Sequence, residues 1–181
     1  MIEKKKKIRR KAGQVFQVSL GDGTFAYGQT TSYNCAFFDY RDHGEIKDLK
    51  HIVEQPVIFR VGVAHYAITD GIWPVLGVLP VDPVLEKEED PFTYDIDKKQ
   101  YVIWKTGTLK VPATPEEIYN LECFASWEPE HVEQRLKDYF ANRSNYDVEY
   151  FRNRHNPNFE RDIEKFYAQY GYDFKLPSSE N

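Results

Sequence analysis

The sequence predicts an α+β protein, with strands in the first two thirds of the chain and helices in the last third. The expected architecture is a mostly antiparallel, SH3-like curled sheet or barrel with one inserted helix, followed by a C-terminal helical segment. Three observations carry this expectation. Two β-rich runs between residues 14 and 30 are joined by Gly21-Asp22-Gly23, a hairpin signal. Residues 57–63 form a nearly continuous apolar run, the mark of a buried strand. Beyond Pro112 the apolar residues recur at helical spacing.

Each element follows in order. Residues 14–20 alternate polar and apolar with a slip at Val15-Phe16, and residues 24–30 place Phe25 and Tyr27 on one face. Residues 33–40, ending in Ala36-Phe37-Phe38-Asp39-Tyr40, make a third strand. Between Glu45 and Val53 the period changes: Ile46, Leu49, Ile52 and Val53 share one helical face. Gln55-Pro56 ends that helix and residues 57–63 return to strand. The apolar run 71–80 contains Pro74, which places it at an edge or a bulge. Residues 82–97 carry Glu86, Glu88, Glu89, Asp90, Asp95 and Asp97, are broken by Pro83 and Pro91, and read as an exposed acidic loop. Residues 101–105 are a short strand. Thr114-Pro115-Glu116-Glu117 is a capping box with proline at the first helical position. A second helix starts near Ser126, with Val132, Leu136, Tyr139 and Phe140 in register, and a third runs from about Asn158 to Tyr170 before Gly171. The expected division is a basic tail over 1–12, a β-rich domain over 13–111 and a helical extension packing on it over 112–181. Phe16, Phe38, Ile58, Phe59, Val61, Trp73, Leu76 and Trp104 are the expected core anchors.

Composition narrows the function. A chain of 181 residues, 41% hydrophobic and 29% charged, can bury a sizeable core. It holds no run of 18 apolar residues, so no membrane span is expected. The basic N-terminus has no apolar stretch behind it and does not read as a secretory signal, so a cytoplasmic location is expected. Cys35 and Cys123 stand far apart in apolar surroundings and read as buried free thiols. The net charge of −5 hides an asymmetry. The first eleven residues hold seven bases and one acid, a surplus of six, so the remaining chain carries −11. Such a body repels nucleic acid and suits a basic partner. The basic run is most simply a solvated tail.

No set of residues demands catalysis. The five histidines form no HxH or HExxH set, and no metal or other cofactor is expected. Phosphate-cradling glycine loops and a nucleophile elbow are missing from the sequence. The best polar cluster, Asp39-Tyr40-Arg41-Asp42-His43, reads as a solvated strand exit with local Asp–Arg pairing. His65 and Asp70 flank a turn before Trp73 and are weak evidence for acid–base work.

Four runs occur in order over about residues 13–82: Gly13-Gln14-Val15-Phe16 through Leu20-Gly21-Asp22-Gly23-Thr24-Phe25-Ala26-Tyr27-Gly28; Phe38-Asp39-Tyr40-Arg41; Pro56-Val57-Ile58-Phe59-Arg60-Val61-Gly62-Val63; and Gly71-Ile72-Trp73-Pro74-Val75-Leu76-Gly77-Val78-Leu79-Pro80. Together they resemble the immunity protein 26 family of bacterial polymorphic-toxin systems. The resemblance implies a mostly β domain and a non-catalytic antidote that binds and blocks a cognate toxin, often a nuclease. Some relatives are described as phosphotriesterase-like hydrolases, which leaves open a small hydrolase using Asp39, His43, His65 or Asp70. A protein-binding adaptor whose partner is not a toxin is a further reading.

The expected partner face combines two features. Acids on the 82–97 loop would steer a basic partner, because complementary charge speeds encounter. The segment 113–181 holds 14 of the 28 aromatic residues and a net charge of −6, and rings of this kind hold interfaces together. Tyr146, Tyr150 and Phe151 are the expected anchors. The competing structural reading has them plug the seam between helices and sheet.

Overall fold

The computed structural model describes residues 8–44, 48–159, 165 and 168. Among the described residues nine strands form two sheets. β1 (Gln14–Ser19), β2 (Phe25–Thr30), β3 (Cys35–Asp42), β4 (Val57–Val63) and β5 (Val75–Val78) join β9 (Ser126–Trp127) in a six-stranded sheet of order β5-β1-β2-β3-β4-β9. β6 (Phe92–Asp95), β7 (Gln100–Lys105) and β8 (Leu109–Ala113) form a three-stranded meander. Every pairing is antiparallel except β4 with β9, which is parallel over two residue pairs, Gly62↔Ser126 and Val63↔Trp127.

The α+β class and the antiparallel strands match the expectation; the single curled barrel does not. The larger sheet is open, with β5 and β9 at its edges, and the strands between residues 14 and 106 divide between two sheets. The acidic 82–97 stretch is not one loop either, since it contains β6.

Glycine sets the closeness of β2 to its neighbours. A Cβ on Gly28 would stand 2.5 Å from the Phe16 ring and 2.8 Å from the Ala36 carbonyl oxygen. Only the missing side chain lets the Phe16 ring come this close to β2.

The larger sheet is covered on both faces. On one, Phe16, Phe37, Phe59 and Val61 pack with Trp73, with α2 (Tyr66–Thr69) and with Val132 and Leu136 of α4 (Pro129–Phe140). Trp73 stacks on Phe16 at 5.3 Å and meets Phe37 edge-on at 5.8 Å. Its indole N–H donates to Glu133 Oε1 at 2.9 Å, tying α4 to the sheet. On the other face Tyr27, Ala36 and Phe38 pack under Ile52 of α1 (Leu49–Val53). Asp48 caps α1, and residues 45–47 of the expected helix lie outside the described residues.

α3 (Pro115–Ile118) carries the full capping box: Thr114 Oγ1 accepts from Glu117 N–H, and Glu117 accepts from Thr114 N–H. Its Ile118 is buried under the meander with Phe92, Tyr101 and Ile103. α5 (Tyr146–Arg152), capped by Asn145, lies where no helix was expected. Most of the expected helix over 158–170 and most of the basic tail fall outside the described residues; within that span residues 159, 165 and 168 are described and helical. Of the eight expected anchors, Phe16, Phe38, Phe59, Val61 and Trp73 are buried, and Ile58 and Trp104 are half-buried. Leu76 is 38% exposed, because edge strand β5 turns one face to water.

A candidate partner-binding cleft between the two sheets

Main-chain hydrogen bonds join the meander to the segment that leads into β9. Phe92 N–H donates to Glu122 O at 3.0 Å and Phe124 N–H to Phe92 O at 2.7 Å. Beside this junction opens a cleft of about 500 Å³. Tyr33, Asn34 and residues 60–62 contribute one side; residues 88–91, Lys105 and residues 120–125 contribute the other.

Two exposed rings border the cleft, and both stand on backbone that hydrogen bonds hold still. Tyr33 is 60% exposed. Its N–H donates to Thr31 Oγ1, which also accepts from Asn34 N–H at 3.0 Å. Phe124 is 62% exposed. Its neighbour Glu122 receives a two-pronged ion pair from Arg135 at 2.9 and 2.7 Å. The buried Arg135 guanidinium in turn lies 4.0 Å from the centre of the Phe59 ring. A planar cation sandwiched this way, with both prongs satisfied, fixes the loop that carries Phe124. The ring of Phe124 leans on Trp104 at 5.4 Å.

The acids of the 82–97 stretch are mostly engaged. Arg60 donates to the carbonyls of Leu85 and Lys87 at 3.0 and 3.3 Å and pairs with Glu89. Its side chain is only 10% exposed, so it acts as a clamp on this stretch. Asp90 accepts from Lys105 at 2.9 Å, and that bond holds its carboxyl below the usual carboxylate range. Glu86 accepts from Ser32 N–H, and Asp95 from Lys98 N–H. Glu88 lies against Gly107 of the β7–β8 turn and has no ionic partner among the described residues. Asp97 is exposed.

The three expected ring anchors sit together on α5. Phe151 packs against the cores of both sheets, with its ring 5.8 Å from Trp127. Tyr146 and Tyr150 are half-buried and lie 5.8 Å apart, and Tyr146 stacks on Phe159 at 6.4 Å. Arg154 lies over both Tyr150 and Tyr94, which links this cluster to the β6 end of the acidic stretch. The rings at the cleft, Tyr33 and Phe124, were not among the expected anchors. Tyr33 stands between polar Ser32 and Asn34, whereas Phe124 stands between Cys123 and Ala125 and reads in sequence as a core residue.

The remaining polar candidates lie apart. Asp39 is exposed on β3, His43 follows that strand beside Gly23 O, and His65 and Asp70 cap opposite ends of α2. Arg41 pairs with Asp22 across the hairpin at 3.1 Å, a longer-range partner than the local pairing expected. Asp42 instead accepts from Tyr27 and Tyr40, and burial together with that bond raises the Tyr27 hydroxyl well above its ordinary range. No group of three or more metal-binding side chains occurs among the described residues. Both cysteines are free, Cys35 buried and Cys123 half-buried at the cleft. Burial pushes the Cys35 thiol up and the Cys123 thiol up to about 12, which leaves both protonated and poorly nucleophilic at neutral pH.

A family model for Immunity protein 26 matches residues 11–101, from the start of β1 into β7. The chain belongs to the immunity protein 26 family. Immunity proteins act in general by neutralising toxins, and in general they are not catalysts. Comparison with curated proteins and with solved structures finds no match. The match to the immunity protein 26 family takes in Tyr33, Arg60 and residues 88–91 of the cleft, while Lys105 and residues 120–125 lie beyond it. No helix among the described residues is long and apolar enough to cross a membrane.

Proposed function

We propose that this chain neutralises a cognate polymorphic toxin by forming a stoichiometric complex with it in the cytoplasm, without a catalytic step. The family match over residues 11–101 carries the reading. The charge supports a basic partner: residues 12–181 carry −11, which suits the phosphate-binding surface of a nuclease toxin. In this reading Glu86, Glu88, Glu89, Asp90, Asp95 and Asp97 contribute to the steering field, and Tyr146 and Tyr150 belong to the acidic, ring-rich side of the molecule. Phe151 serves that side from beneath, by holding α5 on the sheet junction.

Co-expression tests the proposal. The test requires a toxin-like reading frame immediately upstream of this chain's gene, and the toxin domain it encodes should arrest growth when produced alone. It should be harmless, and co-purify as a complex, when this chain is present. Growth arrest despite full expression of the folded chain would reject the reading.

A further inference from the structure

We infer that the cleft between the two sheets is the toxin-docking site, and that its occupant is a basic segment whose Arg or Lys side chain packs against Phe124 and Tyr33 and pairs with Glu88. This inference rests on the toxin-neutralising reading and names the surface through which it operates.

Charge, shape and rigidity agree on this occupant. Four acids border or line the cleft: Glu88, Glu89, Asp90 and Glu122. Arg60 compensates Glu89, Lys105 compensates Asp90 and Arg135 compensates Glu122. Glu88 is left over, so the site has one negative charge to offer and matches one incoming cation. The compensated acids are held in fixed positions, which lowers the ordering cost of binding. Phe124 and Tyr33 supply aromatic faces, and a guanidinium or ammonium group is attracted to such faces. The pattern recurs inside the protein, where Arg135 stacks on Phe59 and Lys110 lies 4.3 Å from the Trp104 ring. Exposed rings usually cost order on binding, but these two already sit on pinned backbone. That is the usual condition of residues that dominate an interface.

The cleft also divides at the boundary of the family match. Tyr33 and Glu88 lie inside it and Phe124 outside it. Residues 120–125 lie beyond the match, and discrimination among toxins would reside there.

The test uses the full chain and the purified toxin domain from the upstream reading frame. Y33A, F124A and E88K are compared with the wild type and with I72A, an exposed position that does not line the cleft, by titration calorimetry and stopped-flow association. All four positions are exposed or half-buried, so each variant should keep its melting temperature within a few degrees, checked first. Y33A and F124A should each weaken binding about 30-fold or more. E88K should slow association at low salt, with the difference shrinking as salt is raised. I72A should bind within about threefold of the wild type. If Y33A or F124A fails the stability check, Y33S and F124S replace them, and E88K decides independently. Wild-type binding with all three cleft variants within threefold would overturn the docking site and leave the toxin-neutralising reading standing. Failure of the wild type to bind would remove both.

Discussion

Replacing Trp73 by alanine removes one of the two tryptophans of the main core. Trp73 is 1% exposed, stacks on Phe16 within 14° of parallel, and donates its indole N–H to Glu133. Truncating a buried aromatic costs about 3–5 kcal/mol through lost transfer energy and the cavity left behind. The stacked and edge-on partners add about 0.5–1.5 kcal/mol. The freed Glu133 is half-buried and can rehydrate, so little is added there. The expected loss is therefore about 4–6 kcal/mol, a large part of the roughly 5–15 kcal/mol that a folded domain has. W73F keeps the stack on Phe16 and loses the hydrogen bond, and should cost about 1–3 kcal/mol. Urea unfolding followed by circular dichroism measures both, with the fluorescence of Trp104 and Trp127 as an independent probe. A loss below about 1.5 kcal/mol for W73A, with an unchanged denaturant slope, would refute the assignment of Trp73 as the link between α4 and the sheet.

Gly28→Ala should fail to fold or lose more than about 3 kcal/mol, because backbone as well as the Phe16 ring blocks the new Cβ; soluble yield and thermal melting check this. E88Q and D97N should leave the melting temperature nearly unchanged, whereas E89Q should lower it, because the nine-tenths-buried Arg60 would lose its counter-charge. Equal midpoints for E88Q and E89Q would show that Arg60 does not depend on Glu89. Burial raises the Asp147 carboxyl above its ordinary value, with His131 and Arg135 opposing and Asp138 adding to the rise. The unfolded chain then ionises more readily, so the ionised group disfavours the fold above its folded pKa, and this cost disappears as pH falls below the ordinary value of 3.8. D147N should accordingly be more stable than the wild type at pH 7, with the gain shrinking as pH drops toward 4; a constant difference across that range would contradict it.

Local patterns were legible and long-range pairings were not. The Gly21-Asp22-Gly23 hairpin, β4, the capping box and α4 each rest on signals within a dozen residues. β8 was hidden because Pro112 reads as a strand breaker. On an edge strand its missing N–H can face away from the neighbour, and Val102↔Pro112 pair without penalty. β9 is two residues long and exists only through its parallel pairing with β4, some sixty positions earlier. α5 lacks an apolar stripe because Val148 packs on the core of the larger sheet while Phe151 reaches both cores. The 82–97 acids were legible as a group, but not their partners: Arg60 and Lys105 are distant in sequence and meet them only after β6 and β7 pair. The cleft was invisible for the same reason, being made where two sheets join.

Neutralisation is tested most directly by titrating the purified toxin domain from that upstream reading frame with this chain while following the toxin's own activity. The expected result is a linear fall to zero at one chain per toxin, with the toxin's mass unchanged and its activity recovered when the complex is dissociated. Inactivation by far less than one equivalent, or a toxin left covalently altered, would make the chain a catalyst; full activity in its excess would mean that it does not neutralise this toxin.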